Sequence, residues 1–328
     1  TVQCEDEIAG CASAVGASFA GALACTSTSG PGICLKSEAM NLAVIMELPL
    51  VVLDVQRGGP ATGLPTKSEQ TDLLQCLFGR NGESPMPVIA ATSPTDCFDA
   101  AYSACKMALE HMTPVVLMTD AYVANGSAAW KLPKLSEYPE IKPPYVQPAM
   151  KETWAPYQRN AEGVRYWAVP GTEGFTHILG GLEKDSKTGA ISTNPENHNV
   201  MTKLRQEKID KIQVPDLVVE GDAHDAELLI VGFGGTYGHL HAAMNEMQAT
   251  GKKVAFAHFK FINPLPKNTA TVLSKYKKVV VAEQNLGQLA GWLRMKVDKF
   301  APYQFNEVKG QPFAVSDLVQ AFTEIYNK

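Results

Sequence analysis

Residues Leu48 to Val55 read LPLVVLDV, and the run continues without a break into DVQRGGPATGLPTKSEQ, Asp54 to Gln70. An apolar run of this length, bounded by turn signals, is the pattern of a strand buried on both faces. The loop after it, with Gly58 and Gly59 beside Arg57, lies at the carboxyl edge of that strand, where open α/β sheets bind ligands. The apolar signal returns in PMPVIAAT, from Pro85, and in PVVLMTD, from Pro114. Helical patterns separate these strands over Lys67 to Phe78 and Asp96 to His111. Pro31 to Met46 precedes the first strand, with Pro31 suited to an early helical position. This β-α-β order predicts a parallel sheet.

From Ala226 the same grammar resumes: ELLIVGF, a helix over His239 to Ala249, KVAFAHF, a helix over Lys267 to Lys275, KKVVVAEQ, then helices near Leu289 and Val315. That predicts a second α/β domain. Between the halves, Lys131 to Gly221 is rich in proline, and KLRQEKIDK is its longest helical candidate. The division expected is residues 1–135, a long connector 136–221, and residues 222–328.

A length of 328 residues agrees with about two domains. The charged fraction of 19% is below the roughly 25% of an average soluble domain, so part of the surface is expected to be covered in an oligomer. Lys plus Arg total 29 against 34 for Asp plus Glu, with no basic run, which argues against nucleic-acid and polybasic membrane binding. The most apolar stretch, Leu42 to Val55, is interrupted by Glu47, Pro49 and Asp54 and is shorter than the roughly 20 residues of a membrane span. Seven cysteines include no Cys-x-x-Cys pair, which argues against an iron-sulfur or zinc site in this chain and for reduced thiols in the cytoplasm. The chain opens at Thr1 in a helical pattern and is expected to start partway into a domain.

Three constellations could carry chemistry. Glu5, Asp6 and Glu7 open a helix made almost wholly of small residues. Such acidic residues complement the helix dipole; alternatively, a carboxylate desolvated on a close-packed helix end can share a proton with a ring nitrogen. In the loop after the first strand, Gly58 and Gly59 free backbone N–H groups to reach an anion, Arg57 offers a planar fork for a carboxylate, and Thr66 adds a hydroxyl. The same residues also suit an exposed loop with a helix-capping threonine. Third, GFGGTYG, from Gly232, invites a dinucleotide reading, but Tyr237 stands where the fingerprint needs its last glycine. Tight strand-to-helix turning explains those glycines, and FINPLP and AEQNLGQLAG read as turns or interface loops. His-Glu-x-x-His, a phosphate loop and a nucleophile elbow are all absent.

Taken together, EDEIAG (Glu5–Gly10), TSTSGPG (Thr26–Gly32), DVQRGGPATGLPTKSEQTDLL (Asp54–Leu74), FGRNGE (Phe78–Glu83), RYWAVPGT (Arg165–Thr172), ILGGLE (Ile178–Glu183), NPENH (Asn194–His198), FINPLPKN (Phe261–Asn268) and AEQNLGQL (Ala282–Leu289) carry a resemblance over nearly the whole chain. The sequence resembles the α subunit of the 2-oxoacid:ferredoxin oxidoreductases, most closely the 2-oxoglutarate type. The resemblance implies an α/β fold: a thiamine-diphosphate-binding, pyrimidine-type parallel-sheet domain followed by a transketolase C-terminal-like α/β domain. It implies conversion of 2-oxoglutarate and CoA to succinyl-CoA and CO2 with reduction of ferredoxin, or the reverse carboxylation. Pyruvate or branched-chain 2-oxoacids, and a non-catalytic scaffold subunit, are the alternatives.

By the same resemblance Glu7 contacts the aminopyrimidine ring, with Glu5 as the other candidate. Arg57 holds the substrate 1-carboxylate, Thr66 helps fix the oxoacid, and Gly58 and Gly59 line its site. Lys67 is placed only by proximity and charge. The family's Tyr-Pro-Ile-Thr-Pro segment is absent from this sequence, as is a Gly-Asp-Gly motif with a downstream Asn; Gly221-Asp222 continues with Ala223. The resemblance therefore implies that a β subunit brings Mg2+, the diphosphate site and a [4Fe-4S] cluster, in an (αβ)2 assembly with ferredoxin as acceptor and room for small accessory subunits.

Overall fold

The computed structural model describes the whole chain, residues 1–328. Its first sheet contains β1 (Ala24–Thr28), β2 (Leu50–Gln56), β3 (Val88–Ala90) and β4 (Pro114–Asp120), all parallel, in the order β1-β2-β4-β3. Around it lie α1 (Glu7–Phe19), α2 (Gly30–Met46), α3 (Leu73–Phe78), α4 (Cys97–His111) and the short α5 (Ala121–Asn125). β2 and β4 carry the apolar runs read above, and every residue of β4 is buried. After α6 (Pro195–Asp210), the second sheet contains β5 (Val219–Gly221), β6 (Leu228–Phe233), β7 (Val254–Phe259), β9 (Lys278–Glu283) and β10 (Tyr303–Asn306), in the order β10-β9-β6-β7-β5. α7 (Tyr237–Ala249), α8 (Thr269–Lys275), α9 (Gln288–Lys296) and α10 (Val315–Tyr326) connect and cover it. The α/β class expected from the sequence is the class formed.

Three local expectations are corrected. Phe261–Asn263, read as a turn, is strand β8, which crosses to the first sheet and pairs antiparallel with β3. Asn263 secures it by donating to the Met86 carbonyl at 2.7 Å. Ala24–Thr28, inside the small-residue stretch, is strand β1. The helix expected over Lys67 to Phe78 forms only from Leu73, because Ser68, Glu69 and Gln70 are buried in an extended segment bonded to distant parts of the chain.

The two sheets share one apolar core. Val52, Leu73 and Leu77 belong to the same buried cluster as Leu229, Phe259 and Trp292, and Phe78 meets Trp292 edge to face at 5.6 Å. The connector is anchored by buried cations at the amino-terminal edge of the first sheet. α2 ends on Glu47 and α4 on Met112, both left-handed. Arg165 donates to the Glu47 carbonyl, Lys184 to the Ile45 carbonyl, and Lys208 of α6 to the Met112 carbonyl at 2.8 Å. The Glu47 carboxylate is 1% exposed and pairs with Arg159 and Lys208. Burial alone would raise its pKa, but those two cations hold it well below the usual carboxylate range.

Candidate active site

The carboxyl edge of the first sheet is organised by the start of α2. β1 ends at Thr28, and Gly30-Pro31-Gly32 form the first turn of α2. Gly32 is required by close approach: a Cβ there would stand 1.7 Å from Thr28 Oγ1 and 2.8 Å from Glu7 Cγ. Glu7 thus rests half-buried against this turn, at a helix start capped by Asp6, which accepts from the Ala9 N–H at 2.8 Å. Glu5 is exposed and precedes the helix. Lys36, 2% exposed, fixes the corner by donating to Thr26 Oγ1 at 2.8 Å and to the Glu7 carbonyl at 3.3 Å.

On the opposite side of the same turn, Gly30 admits Asp72, whose Oδ1 would stand 2.5 Å from a Cβ at position 30. Asp72, Arg57 and Glu69 wall a cavity of about 640 Å³, to which the second half of the chain contributes Leu286, Gln288 and Val308. Arg57 Nε and Asp72 Oδ2 are buried there without a partner in the chain. Beneath them Asp54 is fully buried; its Oδ2 accepts from the Cys76 thiol at 3.6 Å and its Oδ1 has no partner. Burial and the neighbouring Asp72 push the Asp54 carboxyl well above its ordinary range. Burial and Glu69 push Asp72 up to about 6, against the opposing pull of Arg57.

The loop between β2 and α3 folds back on itself. The Gly58 N–H donates to the Lys67 carbonyl at 3.0 Å, and the Gly58 carbonyl accepts from Leu64 N–H at 2.8 Å. Its N–H is therefore engaged within the loop, whereas Gly59 borders the cavity with its N–H 3.4 Å from Glu69 Oε2. Thr66 and Lys67 face a different, adjoining hollow of about 550 Å³, beside Tyr122 and Asn125 of α5. The chain thus brings Arg57 and Gly59 together, sets Glu7 across the α2 turn from them, and keeps Thr66 apart.

Gln70 clamps this loop to the second half. It exchanges bonds with Gln284 through its N–H at 3.0 Å and its Oε1 at 3.2 Å, donates from Nε2 to the Phe233 carbonyl at 2.7 Å, and accepts from Asn285 Nδ2 at 2.7 Å. The glycines after β6 serve the same junction. The Gly235 N–H donates to Asp120 at 3.1 Å, and a Cβ there would stand 2.2 Å from that carboxylate. Close packing, not a dinucleotide, explains the GFGG turn.

Sequence reasoning missed Lys36, Glu69, Gln70 and Asp72. The available signal was SEQTD itself, five polar residues with no apolar partner for a helix face before Leu73. The residues present fit thiamine diphosphate by their donors and acceptors. Glu7 offers a carboxylate beside the Gly30-Pro31-Gly32 turn, and Arg57, whose buried Nε has no partner in the chain, lines the space an oxoacid would enter.

Residues 1–192 match the family described as pyruvate flavodoxin/ferredoxin oxidoreductase, thiamine diphosphate-binding, and residues 226–316 match pyruvate:ferredoxin oxidoreductase core domain II. The 2-oxoglutarate oxidoreductase subunit KorA of Mycobacterium tuberculosis is 50% identical, over 97% of this chain and 48% of that protein. The 2-oxoglutarate synthase subunit KorA of Methanocaldococcus jannaschii is 32% identical, over 88% of this chain and 76% of that one. Among solved structures, the 2-oxoglutarate:ferredoxin oxidoreductase from Magnetococcus marinus, with 2-oxoglutarate, coenzyme A and succinyl-CoA bound, superposes with a TM-score of 0.92 at 33% identity, over 99% of this chain and 57% of that one. The chain spans about half the length of several of the curated relatives it matches.

Proposed function

Because the chain belongs to the thiamine-diphosphate-binding family of pyruvate flavodoxin/ferredoxin oxidoreductases, we propose that it is the α subunit of a 2-oxoglutarate:ferredoxin oxidoreductase. The reaction is conversion of 2-oxoglutarate and CoA to succinyl-CoA and CO2, with two electrons passed to ferredoxin, or its reverse. The observation that carries this reading is the arrangement around the first turn of α2. Glu7 lies on one side, and on the other Arg57, whose buried Nε has no partner in the chain, lines a cavity.

When bound, thiamine diphosphate supplies the nucleophilic carbon and the electron sink that decarboxylation of a 2-oxoacid needs. Glu7 would share a proton between its carboxylate and a ring nitrogen of the aminopyrimidine. Arg57 would hold the oxoacid 1-carboxylate by two parallel charge-assisted hydrogen bonds, with Gly59 leaving room beside it. Thr66, in the adjoining hollow, would act from the rim. The choice of 2-oxoglutarate is supported by the names of the KorA relatives and of the Magnetococcus marinus enzyme.

Residues 1–135 are the pyrimidine-side domain in this reading, 136–221 the connector and 222–328 the transketolase C-terminal-like domain. Mg2+, the diphosphate ligands and a [4Fe-4S] cluster belong to a β subunit, since Gly221-Asp222 continues to Ala223 and the cysteines form no Cys-x-x-Cys pair. An (αβ)2 assembly in the cytoplasm completes it. No helix is long and apolar enough to cross a membrane.

The test is reduction of a viologen dye by the purified native complex with CoA and, separately, 2-oxoglutarate, pyruvate and 2-oxoisovalerate. Thiamine-dependent reduction with 2-oxoglutarate is expected. A preference for another oxoacid would revise the substrate, and silence with all three from an intact complex would overturn the reading.

A further inference from the structure

The Arg57 cavity holds more acid than its one cation can balance. Glu69 is 4% exposed and Asp72 is half-buried, so two carboxylates share the cavity wall with a single guanidinium, and the fully buried Asp54 lies next to Asp72 beneath them. No trio of His, Cys, Asp or Glu side chains converges closely enough to hold a metal ion. Arg80, the cation that acts on the Cys76 thiol, is engaged with the Cys76 and Leu77 carbonyls, and the other groups around Asp72 bring no positive charge. They are the backbone of Gly30 and Cys34 from α2, Gln75 and the buried Cys76 thiol from α3, Gln56 from β2, and Leu286 and Gln288 from the second half. Lys309, one residue beyond Val308, is already paired with Glu307.

We infer that Asp72 takes up a proton when the 2-oxoacid carboxylate binds at Arg57, so that it faces the substrate as a neutral carboxyl. This rests on the substrate site proposed above. An incoming carboxylate adds negative charge to a partly desolvated pocket and competes for the only cation that opposes protonation of Asp72. Asp72 Oδ2, buried without a partner, is where the proton goes, and as an O–H it becomes a donor in the wall of the cavity. The free carboxyl is already pushed up to about 6 by burial and Glu69, and binding must raise it further, past the pH of the experiment, for it to remain protonated there.

Linkage sets the sign. Below about pH 6 Asp72 is already protonated in the free enzyme and binding moves no proton. Above it, binding takes up about one proton and affinity weakens by about tenfold per pH unit, until the pKa of the bound state is passed.

The test is isothermal titration of the assembled holoenzyme with N-oxalylglycine, an analogue whose amide resists attack, at pH 7.5 in phosphate and in Tris. The difference in buffer ionisation heats counts the protons. Uptake of close to one proton in the wild type, abolished in Asp72→Asn with binding retained, is the expected result. Binding without uptake in the wild type, or equal uptake in Asp72→Asn, overturns the inference and leaves the substrate site standing. Failure of the folded, assembled wild type to bind the analogue or turn over any oxoacid overturns both. Should Asp72→Asn not fold, the wild-type affinity between pH 5 and 8 decides: a flat line overturns the inference, and a slope of about tenfold per unit that begins near pH 6 supports it.

Discussion

Arg57 and Glu7 stand out in the sequence as candidate site residues because of the motifs that hold them, whereas Asp72 and Glu69 do not. A carboxylate in a polar stretch reads as solvated, and only the fold makes these two unusual, by setting Asp72 against Gly30 of α2 and Glu69 against the Gly58–Gly59 backbone. Arg57→Lys keeps the charge but loses the planar fork, so it should raise the KM for the oxoacid about 10- to 100-fold, the equivalent of one charge-assisted hydrogen bond. Steady-state kinetics of the assembled enzyme check this, and an unchanged KM would remove Arg57 from the substrate site. Glu7→Gln keeps the shape against Gly32 but removes the titrating oxygen. Turnover should fall by about 100- to 10,000-fold, the range of a lost proton-transfer group, while gel filtration shows normal assembly.

At the scale of elements, the segment Lys67–Asp72 shows why local pattern misleads. It joins a helical run to a strand end and looks helical, yet Gln70 bonds with residues 163 and 214 positions away, and those bonds hold it extended. β8 is the same kind of case, a three-residue strand whose pairing partner lies in the other half. Longer elements declared themselves locally, β4 by its unbroken apolar run and α2 by its length and Pro31 in the first turn. Gln70→Ala would remove the Nε2 bond to the Phe233 carbonyl, which keeps the Thr236 hydroxyl as a donor, and would leave the Gln284 N–H unsatisfied in the interior. At about 1–3 kcal/mol for such an unsatisfied group, the variant should unfold at clearly lower urea than the wild type. An unchanged midpoint would show that the clamp is not what joins the halves.

Over the whole molecule, the two α/β halves were readable from the order of their segments, and the path of the connector was not. Cationic side chains read as surface, but Arg165, Lys184 and Lys208 are each at most 2% exposed and reach helix-end carbonyls beneath the first sheet. Glu47 is the carboxylate that faces Arg159 and Lys208 there. Glu47→Gln should therefore cost about 3–5 kcal/mol, as breaking one side of a buried ion pair does, and lower the melting temperature. Because the Glu47 carboxyl is held well below its unfolded value, its contribution is present above about pH 4 and fades as pH falls further. In the proposed assembly this chain brings Glu7 and Arg57, and a β subunit brings the rest of the cofactor site. Calorimetric titration with Mg2+ and thiamine diphosphate tests it most directly, comparing the full-length protein alone with its assembled complex. Binding by the complex and none by this protein alone is predicted; tight binding and oxoacid turnover by this protein alone would contradict it.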